Sequence, residues 1–384
     1  MKLRSRPVLP IALTTVAILA LFLSLQNRLF SNSDVVQTES VATPDPMPER
    51  APTTESPAPD KSSTQELFCR DSLKAICLPN LPADPTGQAS LDYQGEMRAL
   101  RVLRRIVKSN PGWTTEQIEG ELVSRIYTTE RREYFTKNFE WVRKALLAFI
   151  ESQPAGIFSD QEKQTLLARV QRVQLDLPVS ASSYADVSDL LTKSEIYYER
   201  TPKGVLRVRI GGGYFLSTTS QYNIIFTLAH ELAHTIDPCE LKKEPFAFPA
   251  YSRLTDCFVE QNWLQPNEAK CGEGDKVSEA FSDWLGSHIL AKAIEHFGQA
   301  YSIEEKALAA SNAIRDLCDD STAAMDSIDH GPYPHPEIRI RDLYGSNPSL
   351  RNVLECRART SSSMETASSY CRFSLDSLRQ GDSQ

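Results

Sequence analysis

Apolar residues recur at helical spacing through much of the first half of the chain. Met97, Leu100, Leu103 and Ile106 form one such series, Ile118, Leu122 and Ile126 a second, and Trp141, Leu146 and Ile150 a third. Positions three or four apart share a helix face, so residues 91–172 are expected to be mainly helical. Breaks are expected at Asn110-Pro111-Gly112 and Gln153-Pro154-Ala155-Gly156. The period then changes. Gly204-Val205-Leu206-Arg207-Val208-Arg209-Ile210 alternates apolar and basic residues and runs into Gly211-Gly212-Gly213, which predicts a half-buried edge strand ending at a turn. A helix follows, with Thr218, Thr219 or Ser220 as its N-cap. Ile224, Ile225, Phe226, Leu228, Ala229, Leu232 and Ala233 make it almost wholly apolar until Pro238 stops it. Such a helix is expected to be buried.

His230-Glu231-Leu232-Ala233-His234 lies inside that helix, in a chain with six histidines among 384 residues. Two histidines four apart sit one turn apart on one face, where both rings can bind a single Zn²⁺ while Glu231 holds a water beside it. An unpaired buried charge costs several kcal/mol, so this set demands a metal or a dense polar network. Downstream, Glu279-Ala280-Phe281-Ser282-Asp283 opens a second apolar helical stretch, Trp284 to Leu290, and Glu279 and Asp283 share a face. That spacing lets Glu279 complete a His₂Glu zinc site with water in the fourth position, while Asp283 accepts a hydrogen bond from a ligand imidazole. His288 and His296, on the same stretch, read as packing or surface residues.

At this point the sequence resembles the neprilysin-type zinc metallopeptidases, which belong to the gluzincins. The first motif extends to Asp237, three residues past the second histidine, and the second includes Gly286. His335-Pro336, Arg339-Ile340 and Asn347 look like the family's His-and-Arg segment, and the stretch from Cys356-Arg357 through Ser363-Met364 to Cys371-Arg372 is similar to its closing segment. The resemblance implies an α+β zincin-like fold, mainly helical, with a small mixed sheet whose edge strand precedes the active-site helix. It implies one zinc per chain on His230, His234 and Glu279, with Glu231 as general base. Asp237 and Asp283 would support the ligands, Asp283 acting in catalysis through them. His335 would stabilise charge on the carbonyl oxygen, and Arg339 would grip the substrate. The interval between His335 and Arg339 is shorter than the family's, which leaves Arg341 or His330 open as the partner. Among the eight cysteines the resemblance implies Cys69 with Cys356, Cys77 with Cys318, and Cys257 with Cys371, which leaves Cys239 with Cys271.

Family members carry an Asn-Ala pair on the edge strand that bonds the substrate main chain. The corresponding region is taken here as Arg209 to Phe215, which lacks it. Family members also have a large helical lobe that the interval from Cys77 to Gly204 is too short to hold, so the family's substrate preference does not transfer.

At the N-terminus, Lys2, Arg4 and Arg6 precede an apolar run from Val8 to Leu25. About 18 apolar residues can span a bilayer. Residues 1–30 are therefore expected to be a membrane anchor, with a cleaved signal sequence as the competing reading, in which case the protein is secreted. Residues 31–64, rich in Ser, Thr and Pro, are expected to be a disordered linker. Residues 65–377 would form an extracytoplasmic metallopeptidase domain, with a helical lobe over about 65–200 and a metal-site lobe over 201–377, followed by a tail over 378–384. A net charge of −8 offers no nucleic-acid footprint. The expected partners are a peptide or protein substrate and the membrane, with the oligomeric state left open. The expected function is zinc-dependent endopeptidase, and the alternative is a catalytically silent, zinc-containing extracytoplasmic binding or scaffold domain.

Overall fold

Helices account for most of the computed structural model, which describes residues 63–87, 92–184, 188–217, 220–272, 275–318, 333–356 and 370–374. All of these fall in one compact unit, Asp60–Gln384. The expected anchor (residues 1–30), most of the linker, His330, the Ser363-Met364 stretch and the tail lie outside the described residues. Among the described residues, no helix is long and apolar enough to cross a membrane.

The first helices are α1 (Thr64–Arg70), α2 (Ser72–Ile76), α3 (Asp92–Ser109), α4 (Thr115–Ile126), α5 (Thr129–Glu151) and α6 (Asp160–Arg172). The expected breaks separate α3 from α4 and α5 from α6. Each new helix starts at a capping box: Thr114 with Gln117 opens α4, and Ser159 with Glu162 opens α6, so side chains satisfy backbone donors that a helix start leaves bare.

Three strands follow: β1 (Gln174–Asp176), β2 (Ile196–Arg200) and β3 (Leu206–Ile210), in the order β1-β3-β2. β1 runs parallel to β3, and β2 runs antiparallel to it, with Ile196 opposite Ile210 and Tyr198 opposite Val208. The sheet is small and mixed, as expected, but the Leu206–Ile210 strand is its centre and not its edge. The alternating basic residues allow this because Arg207 and Arg209 are neutralised within the sheet: both reach Asp176 at 3.1 Å, and Arg207 reaches Glu199 at 3.0 Å. The edge strand is β2. The sheet also draws strands from both sides of residue 200, where a lobe boundary was expected.

Gly211-Gly213 does not form the expected turn. It leads into a short buried helix, α7 (Gly212–Ser217), pressed against the segment before β2. A Cβ on Gly212 would lie 2.0 Å from the Leu191 carbonyl oxygen, so only glycine permits this approach.

The remaining elements are α8 (Gln221–Ala233), α9 (Pro238–Leu241), α10 (Pro249–Glu260), α11 (Lys276–Phe297), α12 (Ile303–Ala313), a π-helical stretch over Ile338–Tyr344, and α13 (Pro348–Val353). α8 is the hub: Ile224, Ile225, Leu228 and Leu232 are fully buried, and α5, α11 and α12 cover it. Four disulfides join Cys69 to Cys356, Cys77 to Cys318, Cys239 to Cys271 and Cys257 to Cys371.

His288 packs among aromatics on α11, with ring centroids 4.8 Å from Trp284, 5.6 Å from Phe149 and 6.0 Å from Tyr370. Burial, helped by the nearby Lys292 charge, depresses its pKa from 6.5 to about 4. The folded protein then binds no proton here where the unfolded chain does, so this stability is present above pH 6.5 and is lost as pH falls towards 4. Unfolding free energy should drop by about 3 kcal/mol across that window from this group alone. Denaturant titrations at several pH values check this, with His288→Phe expected to flatten the slope by that amount. An identical slope in the variant would refute the assignment.

Candidate metal centre

α8 presents His230 and Glu231 in its last turn, and His234 caps its end. The helix starts cleanly because the Ser220 side chain accepts from the Asn223 amide at 3.4 Å. α11 lies close against it. A Cβ on Gly286 would stand 3.2 Å from Phe226 Cε2, so glycine there lets the two helices approach. This approach aims Glu279 and Asp283 at the two imidazoles.

The Nε2 atoms of His230 and His234 face each other at 3.2 Å, and Glu279 closes the third side, with Oε2 3.1 Å from His230 Nε2 and Oε1 3.6 Å from His234 Nε2. One donor atom from each of the three residues lies within 4.8 Å of the others. Among the described residues, no other group of His, Cys, Asp or Glu converges in this way.

The opposite nitrogens are held from behind. His230 Nδ1 meets Asp283 Oδ1 at 2.9 Å, and His234 Nδ1 lies 3.2 Å from Asp237 Oδ2, 3.1 Å from Ser278 Oγ and 3.2 Å from Ser282 Oγ. Asp237 is itself fixed by the Cys239 and Glu240 amides, each donating to Oδ1 at 2.7 Å, and by the Ser278 hydroxyl. With carboxylates receiving both Nδ1–H groups, the Nε2 lone pairs point at one another. A proton on one ring or a cation between the two relieves the repulsion of lone pairs at that separation, and three converging donors with carboxylates behind them fit a metal ion.

The electrostatics agree. Burial opposes a charge on His230, yet Asp283 and Glu279 raise its pKa to about 10. His234 is also raised against burial, chiefly by Asp237. Burial would push Asp283 upward, but the Arg339 guanidinium and the His230 hydrogen bond hold it well below the usual carboxylate range. Glu279 is lowered in the same way by the imidazoles. The pocket therefore favours positive charge at its centre.

Glu231 points elsewhere. Its Oε2 accepts from the Tyr198 backbone amide at 2.6 Å, which ties the metal helix to β2, and the Tyr198 ring lies 6.4 Å from the His234 ring, nearly parallel to it. Burial raises the Glu231 pKa against the pull of both histidines.

Arg339 is 7% exposed and directs Nε and Nη2 at Asp283, at 2.7 and 3.1 Å, from the π-helical stretch. These bonds orient the carboxylate behind His230 and do not reach outward to a substrate. Tyr333 covers the guanidinium, with its ring centroid 4.7 Å from Arg339 Cζ. His335 lies to one side: its Nδ1 accepts from the Glu337 amide at 3.2 Å, and it lines a cavity of about 580 Å³ with Trp263, Arg341 and Tyr370. Arg341 is exposed and binds Asp342 at 2.9 Å.

Tyr198, Ser278, Ser282 and Tyr333 are the residues that sequence reading missed. Ser278 and Ser282 flank Glu279 and Asp283 on one helix, so helical spacing carried their signal; Tyr198 enters through its backbone, which leaves none. Arg169 was missed as well. It donates to the Thr235 carbonyl at 2.6 Å and pairs with Glu240 at 2.8 Å, pinning the turn after His234.

No protein-family model matches the chain, and no curated protein matches it significantly.

One divalent ion per chain is expected on dialysis against Zn²⁺ or Co²⁺, read by elemental analysis. His234→Ala should abolish uptake, and Asp283→Asn should weaken it by about 10–100-fold, as loss of a carboxylate behind a ligand histidine does. Far-UV circular dichroism verifies that each variant is folded. Full uptake by folded His234→Ala would rule the site out.

Proposed function

We propose that the chain is a zinc-dependent endopeptidase with a zincin-like fold, holding Zn²⁺ on His230, His234 and Glu279. The observation that carries this reading is Glu231: a buried carboxylate beside the donor set, left out of it, and oriented by the Tyr198 amide. A site kept only for structure needs ligands and has no use for such a group.

Zinc bound there supplies a Lewis acid that polarises a peptide carbonyl and lowers the pKa of a water to about 7. Glu231 would act as the general base, taking a proton from the water as the water oxygen attacks the carbonyl carbon. It would then deliver that proton to the amine nitrogen as the C–N bond breaks. Burial of Glu231 raises its proton affinity, which suits a group that must accept and release a proton near neutrality.

Negative charge developing on the carbonyl oxygen needs a hydrogen-bond donor. Tyr333 is the better candidate than His335. Its ring stands over Arg339, and partial desolvation together with the Glu279, Glu231 and Asp283 carboxylates raises the pKa of its otherwise exposed phenol, so it keeps its proton. His335 lines the neighbouring cavity.

The substrate main chain has a place at β2. Because the Tyr198 amide faces Glu231 and not β3, alternation turns the amide and carbonyl of Ile196 outward along the same edge. An extended peptide can add there as a further strand. The four disulfides fit an oxidising, extracytoplasmic compartment.

The test is cleavage of a mixed peptide library by the zinc-loaded protein. Wild type should cleave, and Glu231→Gln should lose at least about 10³-fold in kcat/KM while retaining zinc. Zinc-loaded wild type that cleaves nothing would instead support a silent binding or scaffold domain. Tyr333→Phe should lower kcat by about 10²–10³-fold with KM nearly unchanged, and His335→Ala should stay within a few-fold. The reverse pattern would return the donor role to His335.

A further inference from the structure

Helix α3 carries Arg98, Arg101, Arg104, Arg105 and Lys108, all of them exposed. In a chain of net charge −8, such a concentration of positive charge would ordinarily be met by carboxylates. Here it is not: among the described residues, none of the five forms an ion pair. Arg98 and Arg101 donate only to main-chain oxygens, those of Leu216 at 3.2 Å and Met97 at 3.1 Å. The helix's own Glu96 instead pairs with Lys193, at 3.7 Å.

Apolar side chains stand among these charges. The described residues leave eight large hydrophobic side chains exposed, and four of them, Tyr93 (58%), Met97 (44%), Val107 (45%) and Trp113 (40%), lie on α3 or in the turn after it. At about 100° per residue, Tyr93, Met97, Val107 and the five basic residues fall within roughly one half of the helix circumference. Ala99 and Ile106 face the opposite way and are fully buried. One face of α3 thus belongs to the core, and the other mixes guanidinium groups with aromatic and aliphatic tips and, among the described residues, forms no ion pair.

That combination matches an anionic bilayer surface. Phosphate headgroups complement the basic groups, while Tyr, Trp and Met side chains settle at the headgroup boundary. The chain's own order favours a bilayer over other anionic partners: the apolar run from Val8 to Leu25 and the Pro-rich stretch after it lead directly to α1, a short distance before α3. A domain tethered in this way meets the membrane at high local concentration. We propose that the outer face of α3, together with Trp113, docks on an anionic phospholipid surface. This docking is independent of the metal centre.

The test uses the full chain reconstituted into vesicles of phosphatidylcholine alone or with about 30% phosphatidylglycerol, an anionic fraction large enough to set up a surface potential. A portion of the acyl chains is brominated to quench tryptophan fluorescence. The chain has four tryptophans, so Trp113→Phe isolates the signal of this one. Trp113 should be quenched on the anionic vesicles and far less on the neutral ones, and about 0.5 M salt should relieve the quenching by screening. Each basic group near such a surface contributes about a five-fold preference for it, so Arg101→Glu/Arg104→Glu/Arg105→Glu should weaken docking by at least about 100-fold. Unchanged circular dichroism confirms that the variant is folded. Equal quenching on neutral and anionic vesicles, or quenching untouched by the triple reversal, overturns the proposal. Salt-sensitive binding of poly-glutamate without lipid quenching would overturn it in favour of an acidic protein partner.

Discussion

The structure turns on two imidazole nitrogens that face each other across 3.2 Å inside an apolar helix packing. The arrangement favours positive charge between the rings, and a buried positive charge in turn requires carboxylates nearby. Glu279 and Asp283 on α11 and Asp237 after α8 meet that need. Much of the surrounding architecture exists to bring these groups to the same point: the close α8–α11 contact at Gly286, the serines on α11, and the turn pinned by Arg169.

Asp283 shows how the layers depend on one another. Alone it would be a costly buried anion. Between His230 and Arg339 it stays ionised and holds the ring at a fixed angle. The arginine comes from a π-helical stretch, an irregular winding found often beside functional sites. Tyr333 lies over its free face. The chain thus runs from ligand to carboxylate to guanidinium to phenol.

The donor set was legible in the sequence because helical spacing alone places His230, Glu231 and His234, and then Glu279 and Asp283, on shared faces. Burial was legible too, since a helix with so few polar residues has nowhere else to go. The strand order was not. Alternation in Leu206–Ile210 reads the same whether the basic residues meet water or the carboxylates of Asp176 and Glu199, so the pattern does not separate a central strand from an edge. Gly211–Gly213 misled for a related reason, because glycine serves a turn and a tight packing contact equally. Arg339 was found by position, but its inward direction depends on how the backbone winds between Ile338 and Tyr344, and no local pattern encodes that. Tyr198 contributes a main-chain amide, which any residue except proline would offer.

The disulfides have a bearing on how the protein matures. Cys318 and Cys356 bracket the segment that carries Arg339, and they bind it to the N-terminal helices through Cys77 and Cys69. His230, His234 and Glu279 lie outside that bracket, and α11, which carries Glu279, packs against the bracketed π-helical stretch and α13. A chain still reduced has its Arg339 segment cross-linked at neither end, and the counter-charge of Asp283 is held by packing alone. The cross-links therefore act on the donor set from a distance: they hold the segment whose guanidinium keeps Asp283 ionised beside His230.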